Sequence, residues 1–348
     1  MHGGLGQELR PVWLRILCMR SCAVLTLAGL LLAQPVLAQP VLVQPVLVQQ
    51  GFGQGSASSP PATPPEVSTT ATPVLPPIEL KPDANGVVPP EQIRALLLRA
   101  EEKDLENDKR QRDYTYVERE EERKLDEKGS VVKTDVRTSE VLQIYGEEVN
   151  KLIAKDDNPL PPAEAKKEDD KIQKIIDKRR NESESDRRRR IEKEAKDREE
   201  SRKFVLEVAD AVNFRLAGSE TIDGRDTWVL EGEPRPEYKP KRMEAKLLSK
   251  VGGRVWIDKT EAQWVKLDVT VLDTISFGLF LARIHKGARV VVDMTKVNDE
   301  VWLPKQVQVR LDVRVALVKE FREEIKQTFR DYKKFRAETK MTVVGEEP

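Results

Sequence analysis

Cysteine is nearly absent: Cys18 and Cys22 are the whole complement in 348 residues, and both lie near the N-terminus. A disulfide scaffold and a Cys-based zinc site are thereby excluded. Histidine is as scarce, with His2 and His285. A Ser-His-Asp triad has a single candidate base beyond the N-terminal region, and a His-rich metal site has no ligands. Aromatic residues make up 5%, and an excess of either charge is missing, since 60 Lys and Arg balance 60 Asp and Glu. Bulk charge therefore does not argue for a nucleic-acid partner. The hydrophobic fraction of 39% is below that of a typical compact domain, so part of the chain lies outside any core. No P-loop, dinucleotide fingerprint, nucleophile elbow or carboxylate-rich metal loop occurs. No catalytic residue, metal ligand or cofactor is assigned, and a hydrolase would lack a base. His285, flanked by Arg283 and Lys286, reads as a surface turn residue.

What is present begins with an export signal. Arg10, Arg15 and Arg20 precede an apolar run from Cys22 to Ala33, and Val36-x-Ala38 fits a cleavage site. The run is shorter than the roughly 20 residues that a membrane-spanning helix needs. Residues 1–38 are read as a signal peptide cleaved after Ala38, which places the mature chain in the periplasm. Met19 is an alternative start that leaves Arg20 as the basic n-region. Neither cysteine sits in a lipid-attachment box, and cleavage leaves a chain without thiols, consistent with an oxidising compartment.

Residues 39–89 follow as a disordered, Pro-rich linker. A Gln-Pro-Val-Leu-Ala/Val pentapeptide recurs from Gln34 to Val48, and prolines blocks helix and central strand alike. Pairs at Pro60-Pro61, Pro64-Pro65, Pro76-Pro77 and Pro89-Pro90 punctuate the remainder. Such a tether has almost nothing to bury. It serves as a spacer from a surface or as a drifting tail.

The folded domain is expected over residues 90–345. Pro90 opens a helix whose apolar face is Ile93, Leu96, Leu97 and Ala100. Strand-like Tyr114–Val117 leads to a turn at Asp126–Gly129, and a second strand covers Val131–Tyr145. A short strand follows at Asn150–Lys155. Residues 162–211 form a long charged helical insertion, with Phe204, Val205, Val208, Ala211 and Val212 as a docking face near its end. The run Arg187–Arg190 suggests nucleic acid, but Glu182, Glu184, Glu192 and Glu194 cancel its field and no aromatic interleaves it. A solvated helix is the reading taken, and no nucleic-acid partner is assigned.

From residue 213 onward the signal is sheet. Val265, Leu267, Val269 and Val271 alternate with polar residues, as do Val307, Val309, Leu311, Val313, Val315 and Leu317. Such alternation makes one face apolar and the other wet. The expected fold class is α+β: a single twisted antiparallel sheet forming an open half-barrel covered by helices, with an apolar cavity. The candidate wall of that cavity is Val265, Leu267, Val269, Val271, Phe277, Phe280, Val309, Leu311 and Val313. Ile275–Leu281 reads either as a mobile loop reaching toward lipid or as a buried strand. Trp228, Trp256, Trp264 and Trp302 are cavity liners or core fillers.

Several segments resemble the LolA-like superfamily of outer-membrane lipoprotein-sorting carriers. They are Asn213–Gly218, Gly224–Trp228, Gly253–Asp258, Val301–Pro304 and Asp331–Phe335. The resemblance spans roughly residues 95–340 and implies an open β-barrel in the bacterial envelope that shelters an acyl chain. This chain adds the charged insertion and the Pro-rich tether. The resemblance implies a non-catalytic periplasmic carrier whose partner is the acyl chain of a lipid or lipoprotein, with peripheral contact to a membrane. The alternative is an envelope scaffold or stress-sensor-type module that binds an envelope protein on the same fold, with the charged helix as the contact.

Overall fold

The computed structural model describes residues 79–240, 244–277, 282–315 and 319–335. The expected export signal, the Pro-rich run before residue 79, Phe280 and Leu317 lie outside the described residues. Helix α1 (Pro90–Gln111) starts with proline, whose fixed φ suits the first helical position and whose missing N–H costs nothing there. Strands β1 (Tyr114–Leu125), β2 (Val131–Ile144), β3 (Glu147–Lys155) and β4 (Asn158–Pro159) follow. Helices α2 (Pro162–Arg180) and α3 (Glu184–Ala211) come next. The remaining strands are β5 (Val212–Ile222), β6 (Arg225–Pro234), β7 (Val251–Asp258), β8 (Trp264–Val271), β9 (Ile275–Phe277), β10 (Ala282–Ile284), β11 (Arg289–Val297), β12 (Val301–Val315) and β13 (Lys319–Lys334).

Among the described residues all 13 strands belong to one sheet, ordered β4-β3-β2-β1-β13-β12-β11-β8-β7-β6-β5, with β10 pairing β12 and β9. Every pairing is antiparallel. The two end strands, β4 and β5, do not pair with each other, so the sheet stays open as the alternation had suggested. Two rungs run across it in register. One reads Phe214, Gly232, Gly253, Val269, Val290, Val309, Ile325, Glu122 from β5 to β1. The next reads Leu216, Leu230, Val255, Leu267, Val292, Val307, Gln327, Glu120. Because partnered residues share a face, this concave face is apolar from β5 to β12 and turns acidic at β1.

Helices α1 and α3 cover the apolar end. Ile93, Leu96, Phe204, Ala209, Ala211, Val212, Phe214, Leu230 and Ile257 pack as one cluster. Asn107 pins α1 to β12: its Nδ2 donates to the Trp302 carbonyl and its Oδ1 accepts from the Trp302 N–H, both at 2.6 Å.

Three expectations are corrected. The linker ends earlier than residue 89, because Leu80 and Val88 are buried in the same cluster and Val88 N–H donates to the Phe214 carbonyl. Two apolar residues flanking a turn at Asp83–Gly86 suffice to dock the segment on the edge of β5. The charged insertion is two helices, not one. Ser183 Oγ accepts from the Asp186 N–H at 3.2 Å and caps α3, which favours a new start over continuation. Third, the strand begun at Tyr114 continues to Leu125.

Helix α2 is not a free solvated rod. Ile172, Ile175 and Ile176 pack on Leu142, Ile144 and Val149. Leu142 and Val149 are partners in β2 and β3, on the face opposite Val141 and Asn150. The helix also closes the edge of β3: Glu168 accepts from the Leu152 N–H at 3.1 Å, and Lys171 donates to the Asn150 carbonyl at 3.1 Å. An exposed strand edge is a template for unwanted pairing, and these side chains occupy its backbone groups.

Candidate functional site

Between the sheet and its covering helices lies a cavity of about 270 Å3. Strand β7 makes its floor possible. The rung at Gly232 and Gly253 carries no side chains, so space remains where a neighbouring rung would fill it. Gly253 is required there on its own account, since a Cβ would sit 2.0 Å from the Asp268 carbonyl oxygen. A Cβ at Gly232 would stand 2.9 Å from Val212 Cγ1. Val251, Val255 and Ile257 of β7 complete this part of the wall.

Of the wall residues expected from sequence, Leu267, Val269, Val271 and Leu311 line the cavity. Val309 is buried beyond it, in the cluster formed with Val292, Val307 and Ile325. Val265 belongs to that cluster too, because the register shifts between Trp256 and Ile257 and takes it out of the alternation. Val313 packs on the satellite cluster of Ile275, Ala282 and Ile284. Phe277 ends β9, and nothing is described of its side chain. Trp264 lines the cavity. Trp256 donates instead to Glu220 Oε2 at 2.9 Å, and Trp302 to Glu261 Oε2 at 2.8 Å.

The helical side of the cavity was only half visible in the sequence. Leu97 and Ala100 belong to the apolar stripe already expected, and Phe204, Val205 and Val208 to the docking face of α3. Glu101 and Asp104 also line the cavity and went unread, since a charged pair inside a charged helix sends no signal. Both are buried. Gln263 Nε2 donates to Asp104 Oδ1 at 3.3 Å. Burial pushes the Glu101 carboxyl above its ordinary value, against the pull of Arg202.

Beyond the apolar cluster the concave face is acidic. Glu118 and Gln327 are buried, and Gln327 Nε2 donates to Glu118 Oε1 at 2.8 Å. Asn150 adds a weaker donation to Glu118 Oε2 at 3.3 Å. Desolvation, reinforced by neighbouring Glu120, raises the Glu118 pKa to about 7. Glu120 and Glu148 are raised as well, again chiefly by burial. Among the described residues no group of three or more His, Cys, Asp or Glu has the arrangement to hold a metal ion. His285 is half-buried at the end of β10, its backbone N–H donating to the Asp312 carbonyl.

No family model matches the chain, and no curated protein matches it by sequence. Solved structures do show likeness of fold. A LolA superfamily protein from Nitrosomonas europaea aligns at 11% identity and TM-score 0.26, over 70% of this chain and 93% of its own. A protein described as an outer membrane lipoprotein-sorting domain, from Vibrio parahaemolyticus, aligns at 10% identity and TM-score 0.29, over 70% and 95%. A DUF1329 family protein from Desulfovibrio piger aligns at 10% identity and TM-score 0.27, over 71% and 93%. The open-sheet fold itself is given by the strand pairing described above. No helix among the described residues is long and apolar enough to cross a membrane.

Proposed function

We propose that this protein is a periplasmic carrier that shelters the acyl chain of a lipid or lipoprotein and performs no chemistry on it. The observation that supports this reading is the apolar cavity between α1, α3 and strands β7, β8 and β11. Each methylene transferred from water into such a wall contributes about 0.8 kcal/mol. The Val36-x-Ala38 cleavage pattern supports export, and the Pro-rich run supports a tether between the domain and a surface.

The test is native mass spectrometry of the protein purified gently from an envelope fraction, together with titration of a fluorescent acyl probe. The expected result is a lipid-sized mass increment on the folded chain and saturable probe binding at micromolar concentration. A chain that carries no lipid and binds no probe would overturn the carrier reading. The scaffold reading would then take its place, with the charged faces of α2 and α3 as the first surface to mutate.

A further inference from the structure

The strand register gives the cavity a shape. One rung lines it with Phe214, Gly232, Gly253, Val269 and Val290, from β5 to β11. The neighbouring row, two residues away along each strand, lines it with Val251, Val271, Ala288 and Leu311 and so carries the wall on to β12. The rows on the other side of the glycine rung reach the cavity only on β7 and β8, through Val255, Ile257, Trp264 and Leu267. The cavity is therefore a trough laid across six adjacent strands, a span of about 24 Å at the usual strand spacing. Val269, Val290 and Leu311 are only half-buried in it although α1 and α3 lie over this end of the sheet, so part of their apolar surface is uncovered. The volume is small for that span. An apolar cavity of about 150 Å3 takes one benzene, a six-carbon ring. In the same proportion 270 Å3 takes about eleven carbons.

We infer that the cavity takes one acyl chain of medium length, about eleven carbons, laid across the strands, and not the paired chains of a diacyl lipid. This rests on the acyl-chain reading above and adds the number and length of the chains. A trough two rows wide admits one chain along its length, and volume sets the limit before length does. Two chains sharing the same room would bury about five carbons each and leave their remainder in water, so the second tail brings no gain. A longer single chain likewise gains nothing from the carbons that stay outside.

The experiment displaces the fluorescent acyl probe with saturated fatty acids from hexanoate to octadecanoate, each below its micelle concentration. The head is the same throughout, so differences report the chain. Affinity is expected to climb about fourfold per methylene as far as undecanoate and then level off. Val290→Ala removes two carbons from the wall and is expected to move the plateau about two carbons longer; Val290→Phe adds four and is expected to move it about four shorter. Folding of both is checked by circular dichroism and urea midpoint. Val132→Phe, at an exposed position of β2, is expected to leave the plateau in place. In a second arm, didecanoyl-phosphatidylcholine is expected to displace the probe within about threefold of decanoyl-lysophosphatidylcholine, which has the same head and one tail fewer. If affinity climbs steadily to octadecanoate, if the plateau ignores both Val290 variants, or if the second tail tightens binding tenfold, the size inference is overturned and the acyl-chain reading survives. If the probe itself does not bind, the acyl-chain reading falls and this inference with it.

Discussion

From β5 to β12 and from β13 to β3 the concave face keeps one backbone register while its chemistry reverses. The first half places Phe214, Gly232, Gly253, Val269, Val290 and Val309 on a single rung. Two helices lie over that half, and the cavity remains beneath them. The second half carries Glu118, Glu120, Glu122 and Glu148 on the same face, held by Gln327, Asn150, Gln111 and Tyr116. Backbone pairing is antiparallel in both halves. What differs is how the side chains leave water: hydrocarbon does so favourably, whereas a carboxylate does so only by finding donors or by holding its proton. A continuous sheet can therefore divide into a region that encloses an apolar cavity and a region that stores electrostatic cost.

The sharpest break of this division is Gly253→Val. The added Cβ has no room against the Asp268 carbonyl oxygen, and the expected loss is about 3 kcal/mol or more, with β7 and β8 forced apart. Urea unfolding followed by tryptophan fluorescence measures it. Next in size is Glu118→Gln in the acidic half. The folded-state pKa of about 7 stands above the ordinary 4.5, so the folded state holds the proton more tightly than the unfolded one. That favourable contribution is full below about pH 4.5 and is lost as pH rises through 7. Removing the ionisable group should raise stability at pH 8 by about 2 kcal/mol and do almost nothing at pH 4. Thermal melts of both proteins across that range would show a widening gap; parallel curves would contradict the burial argument.

Val269→Trp fills the cavity without adding charge. Acyl-probe affinity should fall about tenfold or more, while stability shifts by less than about 1.5 kcal/mol. The same probe titration on Glu118→Gln should match wild type, which would separate the two halves functionally. The smallest effect is expected for Ser183→Ala at the start of α3, about 1 kcal/mol from the lost cap. Helix content by circular dichroism would report it, with probe binding unchanged.

The alternation of β8 and β12 was readable because one wet and one dry face leave a period-2 trace in the sequence. The same logic failed on β1. Its charged residues conceal a strand that runs to Leu125, since Glu118, Glu120 and Glu122 occupy the buried parity where apolar residues were expected. The linker boundary was missed for a related reason. Leu80 and Val88 show no periodicity in a short segment of mixed polar, glycine and proline residues, and only the cluster waiting for them gives them a role. Val265 fitted the alternation and still left the cavity, because a register shift depends on the partner strand and not on its own neighbours in sequence.

The sequence by itself determined the class of fold, an open antiparallel sheet with helices over one face, because periodicity and turn residues act locally and repeat often enough to be read. Tertiary structure alone decided where the cavity lies, that its floor is a pair of glycines facing each other across β6 and β7, and that two carboxylates of α1 stand on its lining. A glycine shows nothing of the space it leaves, and a glutamate nothing of the wall it will face. Both are settled by what the far ends of the chain bring against them.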